Sequence, residues 1–224
     1  MSLEYQKEPI EAESNEQADE RSIVQSVVPL YSYILIGCYV AVFLVQFYVD
    51  SQGKTIILDL GEESLYEFEK SWAFVGLVKK LFADGQYWRI LTAGVAHSGV
   101  MHLFFNSYAT YIFGNSFETL SNRTHLIIVF LLAVIGGGIF SQIFLPTGVS
   151  IGASGGVIGL LGYLAVYAFK RRKLLSAEFT KSILINIGFI TFFGVVIMSK
   201  TDNWAHLGGF LTGAVYALIQ IPSD

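Results

Sequence analysis

Residues 124–169 read THLIIVFLLAVIGGGIFSQIFLPTGVSIGASGGVIGLLGYLAVYAF, 46 residues without one Asp, Glu, Lys or Arg. A transmembrane helix needs about 20 apolar residues, so this run holds two. Pro146-Thr147-Gly148 supplies the break between them, because proline and glycine interrupt helical patterns. Working outward, four more charge-free stretches lie at 22–49, 90–117, 182–199 and 203–223. The chain has 224 residues, of which 53% are hydrophobic and 14% charged, whereas a soluble domain carries about 25% charged residues. The pattern predicts six spans near 29–49, 96–117, 124–145, 153–169, 181–198 and 203–221. The runs are continuous rather than alternating, which favours helices over barrel strands. The expected fold is an all-α membrane protein: a bundle of six transmembrane helices with an interfacial, helical first external loop.

Charge placement orders the rest. Residues 1–28 hold seven acids against Lys7 and Arg21, and such a tail is expected to be disordered. It lacks the basic start of a signal peptide and the arginines of a transit peptide. The domain division expected is therefore an acidic tail over 1–28 and a membrane domain over 29–224. Lys170, Arg171, Arg172, Lys173 and Lys181 follow span 4, and basic loops stay in the cytoplasm. Both termini are then cytoplasmic and 50–95 is external, the orientation of a multi-pass plasma-membrane protein. Within 50–95 the run Leu65-Tyr66-Glu67-Phe68-Glu69-Lys70-Ser71-Trp72-Ala73-Phe74-Val75 mixes aromatics with charges. It is expected to form amphipathic helices in the membrane interface. Cys38, the one cysteine, excludes a disulfide framework. No internal repeat of the kind many transporters show is present.

Polar groups inside spans point to function, because they are costly there. Ser154 sits in Ile151-Gly152-Ala153-Ser154-Gly155-Gly156, at the start of span 4. Glycines permit a tight turn, and a helix N-terminus offers free N–H groups to an oxyanion. By itself the motif also fits a plain N-cap or a small-residue helix contact. His206 lies in Asn203-Trp204-Ala205-His206-Leu207-Gly208-Gly209. Ala205, Gly209 and Gly213 form a small-residue stripe on span 6, and Gly155, Gly159 and Gly162 line span 4. Close packing of the two stripes brings His206 within reach of Ser154, as a nucleophile and its base require. The alternative is a histidine bonded within the bundle. Asp202, one turn before His206, is expected to cap span 6 rather than to complete a triad.

His97, His102 and Asn106 make the third cluster, on span 2. His102 and Asn106 are four residues apart and share a face; both can donate hydrogen bonds, as oxyanion stabilisers must. Interhelical polar bonding is the bland alternative. A zinc site built from His97, His102 and His206 is disfavoured, since no H-E-x-x-H and no adjacent carboxylate is present.

Together, Trp88-Arg89, the His102–Asn106 pair, Gly152-Ala153-Ser154-Gly155 and Ala205-His206 with Gly209 resemble the rhomboid intramembrane serine proteases, in order and in span position. The resemblance covers about residues 85–220 and the six-span prokaryotic form of the family. It implies an endopeptidase with Ser154 as nucleophile and His206 as base. It places His102, Asn106 and the Ser154 N–H in the oxyanion hole, with His97 nearby as a further stabilising candidate. Trp88-Arg89 would be the structural motif of the first external loop. The substrates implied are transmembrane proteins in the bilayer, with no nucleic acid, metal or cofactor. A non-catalytic rhomboid-like binding protein is the competing reading, and a proton-coupled transporter is third.

Overall fold

The computed structural model describes residues 28–53, 55–59, 65–172, 175, 177–192 and 201–222. The acidic tail expected over 1–28 lies outside them except for Val28. Long helices follow the charge-free runs: α1 (Leu30–Ser51), α5 (Val100–Leu120), α6 (Arg123–Phe144), α7 (Ser154–Lys170), α8 (Ala177–Phe192) and α9 (Asn203–Gln220). Two of these, α1 and α6, are long and apolar enough to cross a membrane by length and composition, and α7 is apolar but shorter. The expected far end of span 5, at 193–198, falls outside the described residues. α5 starts at Val100 rather than 96, because the chain is extended at Gly99 and His97 belongs to the preceding turn.

The connection between α1 and α5 departs from the all-helical expectation. It contains a hairpin of β1 (Thr55–Asp59) and β2 (Leu65–Glu69), paired from Thr55↔Glu69 to Asp59↔Leu65. Short helices α2 (Lys70–Val75), α3 (Lys79–Ala83) and α4 (Arg89–Ala93) follow. The strand β3 (Leu77–Val78) pairs antiparallel with β4 (Val149–Ser150), from the turn before α7. The reason is local. Tyr66 and Phe68 alternate with Glu67 and Glu69, a period of two that suits a strand and not a helix. Arg89 then ties the segment together. Its guanidinium donates to the carbonyls of Ala73 and Gly76, each at 2.9 Å, and its Nε donates to Gln86 Oε1 at 2.7 Å.

The interior is apolar and aromatic, with Tyr39, Phe117, Phe130, Leu160 and Leu164 almost fully enclosed. The outside is apolar too. Phe47, Tyr48, Phe104, Ile143, Phe169 and Ile219 are all more than half exposed. Soluble monomers rarely show apolar patches on that scale, whereas a lipid-facing surface requires them.

Helix α9 packs chiefly against α7 and α6, and glycine makes the approach possible. A Cβ on Gly209 would come within 2.9 Å of the Gly155 carbonyl carbon, and one on Gly213 within 2.7 Å of the Gly159 carbonyl carbon. On the other side, a Cβ on Gly137 would meet Ala205 O at 2.6 Å. The two predicted stripes therefore meet backbone to backbone. Gly213→Ala should lower the thermal unfolding midpoint in detergent, with an overpacking cost of about 1–3 kcal/mol. Gly188→Ala on α8, where a Cβ meets nothing within 4 Å, should not. Equal midpoints for the two variants would show that α9 has room to move.

Candidate active site

Ser154 is the first residue of α7, and its placement begins upstream. β4 is held by β3, and Gly152 donates its N–H to Ala93 O at 2.9 Å. Gly152 has φ +137°, a conformation that side-chain-bearing residues rarely adopt. This turn swings the chain into α7 with Ala153 already helical and offering no side-chain cap. The bond from Val157 N–H to Ala153 O closes the first turn. The N–H groups ahead of it lack intrahelical acceptors, as at any helix start.

His206 lies in the first turn of α9, opposite. Its Nε2 is 2.8 Å from Ser154 Oγ. With the serine hydroxyl donating, the imidazole is neutral and carries its proton on Nδ1. The start of α9 is fixed by Asp202, whose Oδ1 accepts from Ala205 N–H at 2.9 Å. The expected capping role is thus present.

His102 approaches the same point from α5. Its Nδ1 accepts from the Ser98 backbone N–H at 3.4 Å and contacts Ser98 Oγ at 2.8 Å. A backbone N–H can only donate, so the neutral ring holds its proton on Nε2. That atom lies against Gly152: a Cβ there would stand 2.8 Å from it. The His102 donor therefore faces the turn that delivers Ser154.

Asn106 is one turn further along α5. It is buried, and its Nδ2 donates to His102 O at 3.1 Å. His97 is not brought to the reacting atoms. Its ring is enclosed, with the ring centroids of Tyr39 and His102 each 5.3 Å away. Its backbone is clamped instead by Gln46, through bonds of 2.9 and 3.0 Å. The extended turn at 97–99 explains this: His97 precedes the helix and does not share the face of His102.

A cavity of about 560 Å³ opens beside Ser154, and Ser98, His102, Gly152, Ser141, Ser150 and Asp202 are among the residues that line it. Three of them belong to a cluster that the sequence does not announce. Lys79 is completely enclosed, and its Nζ donates to Ser141 Oγ and lies 3.7 Å from Asp202 Oδ2. The hydroxyls of Ser141 and Ser150 both donate to Asp202 Oδ2. In sequence, Lys79 is one cation of a mixed segment, and nothing local distinguishes it from Lys80, which is exposed and paired with Asp84.

Gly152→Ala combines a strained φ with a Cβ 2.6 Å from His102 Cε1. Strain of this kind costs about 1–3 kcal/mol and lowers the unfolding midpoint; well below that midpoint, reaction of Ser154 with a serine-directed fluorophosphonate should still slow about tenfold or more. Labelling at the parental rate would show that the turn does not set the geometry of Ser154.

Residues 84–223 match the family model of the rhomboid domain. The chain is 30% identical to rhomboid protease GluP of Bacillus subtilis over 205 residues, which are 90% of this chain and 37% of that protein. It is 31% identical over 140 residues to the putative rhomboid protease YdcA of the same organism, covering 62% of this chain and 70% of that one. It is also 28% identical over 134 residues to inactive RHOMBOID-like protein 8 of Arabidopsis thaliana, covering 60% and 38%. The chain spans between about a third and a half of the length of GluP and of RHOMBOID-like protein 6 from Arabidopsis. A domain match over more than half the chain, carried by helices whose packing juxtaposes Ser154 and His206, makes this protein a member of the rhomboid family, whose members are membrane proteins.

Proposed function

We propose that the chain is an intramembrane serine endopeptidase working through a Ser154–His206 dyad. The observation that carries this reading is the 2.8 Å contact between His206 Nε2 and Ser154 Oγ, within the reach a general base needs. Ser154 Oγ attacks the carbonyl carbon of a peptide bond as His206 takes the hydroxyl proton. The C–N bond breaks, and the leaving amine receives that proton. Water, deprotonated by the same imidazole, then releases the acyl group and restores the serine. Negative charge on the carbonyl oxygen is met by the first N–H groups of α7 and by His102 Nε2–H. Asn106 offers the amide hydrogen that His102 O does not occupy. The cavity beside Ser154, with Ser98, Ser141, Ser150 and Asp202 in its lining, supplies room for that water.

The substrates proposed are transmembrane segments of other membrane proteins, unwound locally to expose a bond. The bundle spans the bilayer six times, with both termini cytoplasmic, in the plasma membrane of a bacterium. A second reading is a non-catalytic relative, as the name of inactive RHOMBOID-like protein 8 illustrates. Retention of both Ser154 and His206, in contact, favours catalysis.

Ser154→Ala and His206→Ala should each abolish cleavage of single-span substrates in liposomes. The double variant should be no worse, because residues acting as one unit are non-additive. EDTA should have no effect. Cleavage at the parental rate by Ser154→Ala ends the protease reading. For orientation, a tag inserted at residue 175 should resist protease added outside sealed, inside-in vesicles, and a tag after Gln52 should be digested. The reverse result overturns the proposed topology.

A further inference from the structure

Four separate elements meet at one carboxylate oxygen. Asp202 precedes α9, Ser141 is on α6, Ser150 is in β4, and Lys79 opens α3. Lys79 is also tied through its backbone, since its N–H donates to Gly148 O at 3.1 Å, in the turn leading into β4. Two of these elements carry the reacting groups. Ser150 lies four residues before Ser154, with only the Gly152 turn between. Asp202 lies four residues before His206 and accepts its backbone N–H at 3.2 Å. Whatever fixes Ser150 relative to Asp202 fixes the nucleophile's loop relative to the base's helix.

We infer that Lys79 is a positioning residue of the active site, its buried ammonium locking Asp202, Ser141 and Ser150 into the cluster that sets the distance between Ser154 and His206. The inference rests on the dyad reading given above. Lys79 touches none of the reacting atoms. It acts through Asp202, which is slightly open to the cavity, whereas Lys79 is sealed behind it with no exposed side chain. An enclosed ammonium has no water to turn to, so among the described residues its compensation is this carboxylate and this hydroxyl. Its charge holds the cluster closed. A neutral amine would leave Asp202 Oδ2 with two serine donors and no cation.

The charge itself is titratable. Burial pulls the Lys79 ammonium down to about 8, even though Asp202 opposes the shift. For Asp202, burial works upward, but the bonds from Ser141, Ser150 and the Ala205 N–H, with the Lys79 charge, outweigh it and hold the carboxyl below its usual range. Among the described residues, the groups facing Lys79 are Asp202 from α9, Ser141 from α6 and the β4 turn with Ser150. On its own helix, the Lys80–Asp84 pair points to solvent. His206 stands one turn along α9 from Asp202. A cation with a lowered folded value keeps its charge below that value and loses it above, so the lock holds below about pH 8 and opens as pH rises through it.

The test uses the full chain in liposomes with a single-span substrate, assayed from pH 6 to 10, alongside fluorophosphonate labelling and thermal unfolding. Lys79→Met should lower kcat about ten- to a hundredfold with KM unchanged, the scale of a misplaced reacting group, and its rate should no longer fall across pH 8. Lys79→Arg, whose guanidinium stays charged, should keep most of the activity and carry it further into alkali. If Lys79→Met fails to fold, Lys79→Met with Asp202→Asn removes the stranded carboxylate while Asn still caps α9; it should show the same low kcat and the same flat profile. A folded variant without the Lys79 charge that retains parental kcat and a parental alkaline limb overturns the inference. So does a Lys79→Arg limb that coincides with the parent's. Ser154→Ala keeps the two readings apart: if it still cleaves, the dyad falls, and if it is dead while Lys79→Met is parental, only the lock falls.

Discussion

The structure depends on how closely α7 and α9 approach. Side chains on those faces would separate the helices by several ångströms, and glycine removes them: a Cβ on Gly209 or Gly213 would enter the backbone of Gly155 or Gly159. In a bilayer, helices gain little from hiding apolar surface, because lipid tails are equally apolar. Van der Waals contact and short polar bonds must hold them. The backbone contact supplies the first, and the 2.8 Å bond between Ser154 and His206 can form only because the backbones are so near. The same stripe that assembles the fold thus brings Ser154 and His206 together.

This coupling explains why the helical part was legible in sequence. A charge-free run marks a span whatever it packs against, so helices α1, α5, α6, α7 and α9 fall within a few residues of expectation. Spacing of small residues at intervals of four names the contacting faces, and Ser154 and His206 each sit on one. The His102–Asn106 pair is equally direct, since helix periodicity alone puts both on one face. His97 was less tractable, because its role depends on where the helix begins. The helix begins at Val100 rather than 96, so His97 lies before it, with its ring against Tyr39 and His102.

The loop between α1 and α5 was legible only in part. Its mix of aromatics and charges suggests an amphipathic helix, yet Tyr66 and Phe68 alternate with Glu67 and Glu69 as in a strand. The β3–β4 pair could not be seen at all. It joins segments some seventy residues apart through two residues each, too short to leave a pattern. The partners of Lys79 were hidden for the same reason. Long-range pairing is a property of the closed fold and not of any window along the chain.

Charge at the two ends of the bundle follows a common rule. At one end, Glu118 accepts from Ser32 N–H and Ser32 Oγ, both at 2.8 Å, and from Tyr31 N–H at 3.3 Å. It thereby caps α1, whose own N-cap, Pro29, provides no side-chain acceptor. Arg123 stands 3.5 Å from it. At the other end, Asp202 caps α9 and Lys79 stands against it. Each carboxylate meets the positive end of a helix, which lowers the cost of burying it, and each has a cation. The difference lies in exposure. Arg123 is about two-fifths open to solvent, so its pairing is screened and contributes little. Lys79 is wholly enclosed, and removing either partner there leaves an uncompensated charge. An ion pair of that kind is a poor source of net stability, and a hydrophobic pair of similar volume would hold the bundle as well. What it offers instead is a geometry with few alternatives, because an enclosed cation and a carboxylate with fixed donors fit together in one way. It stands at the end of the bundle where Ser154 and His206 meet.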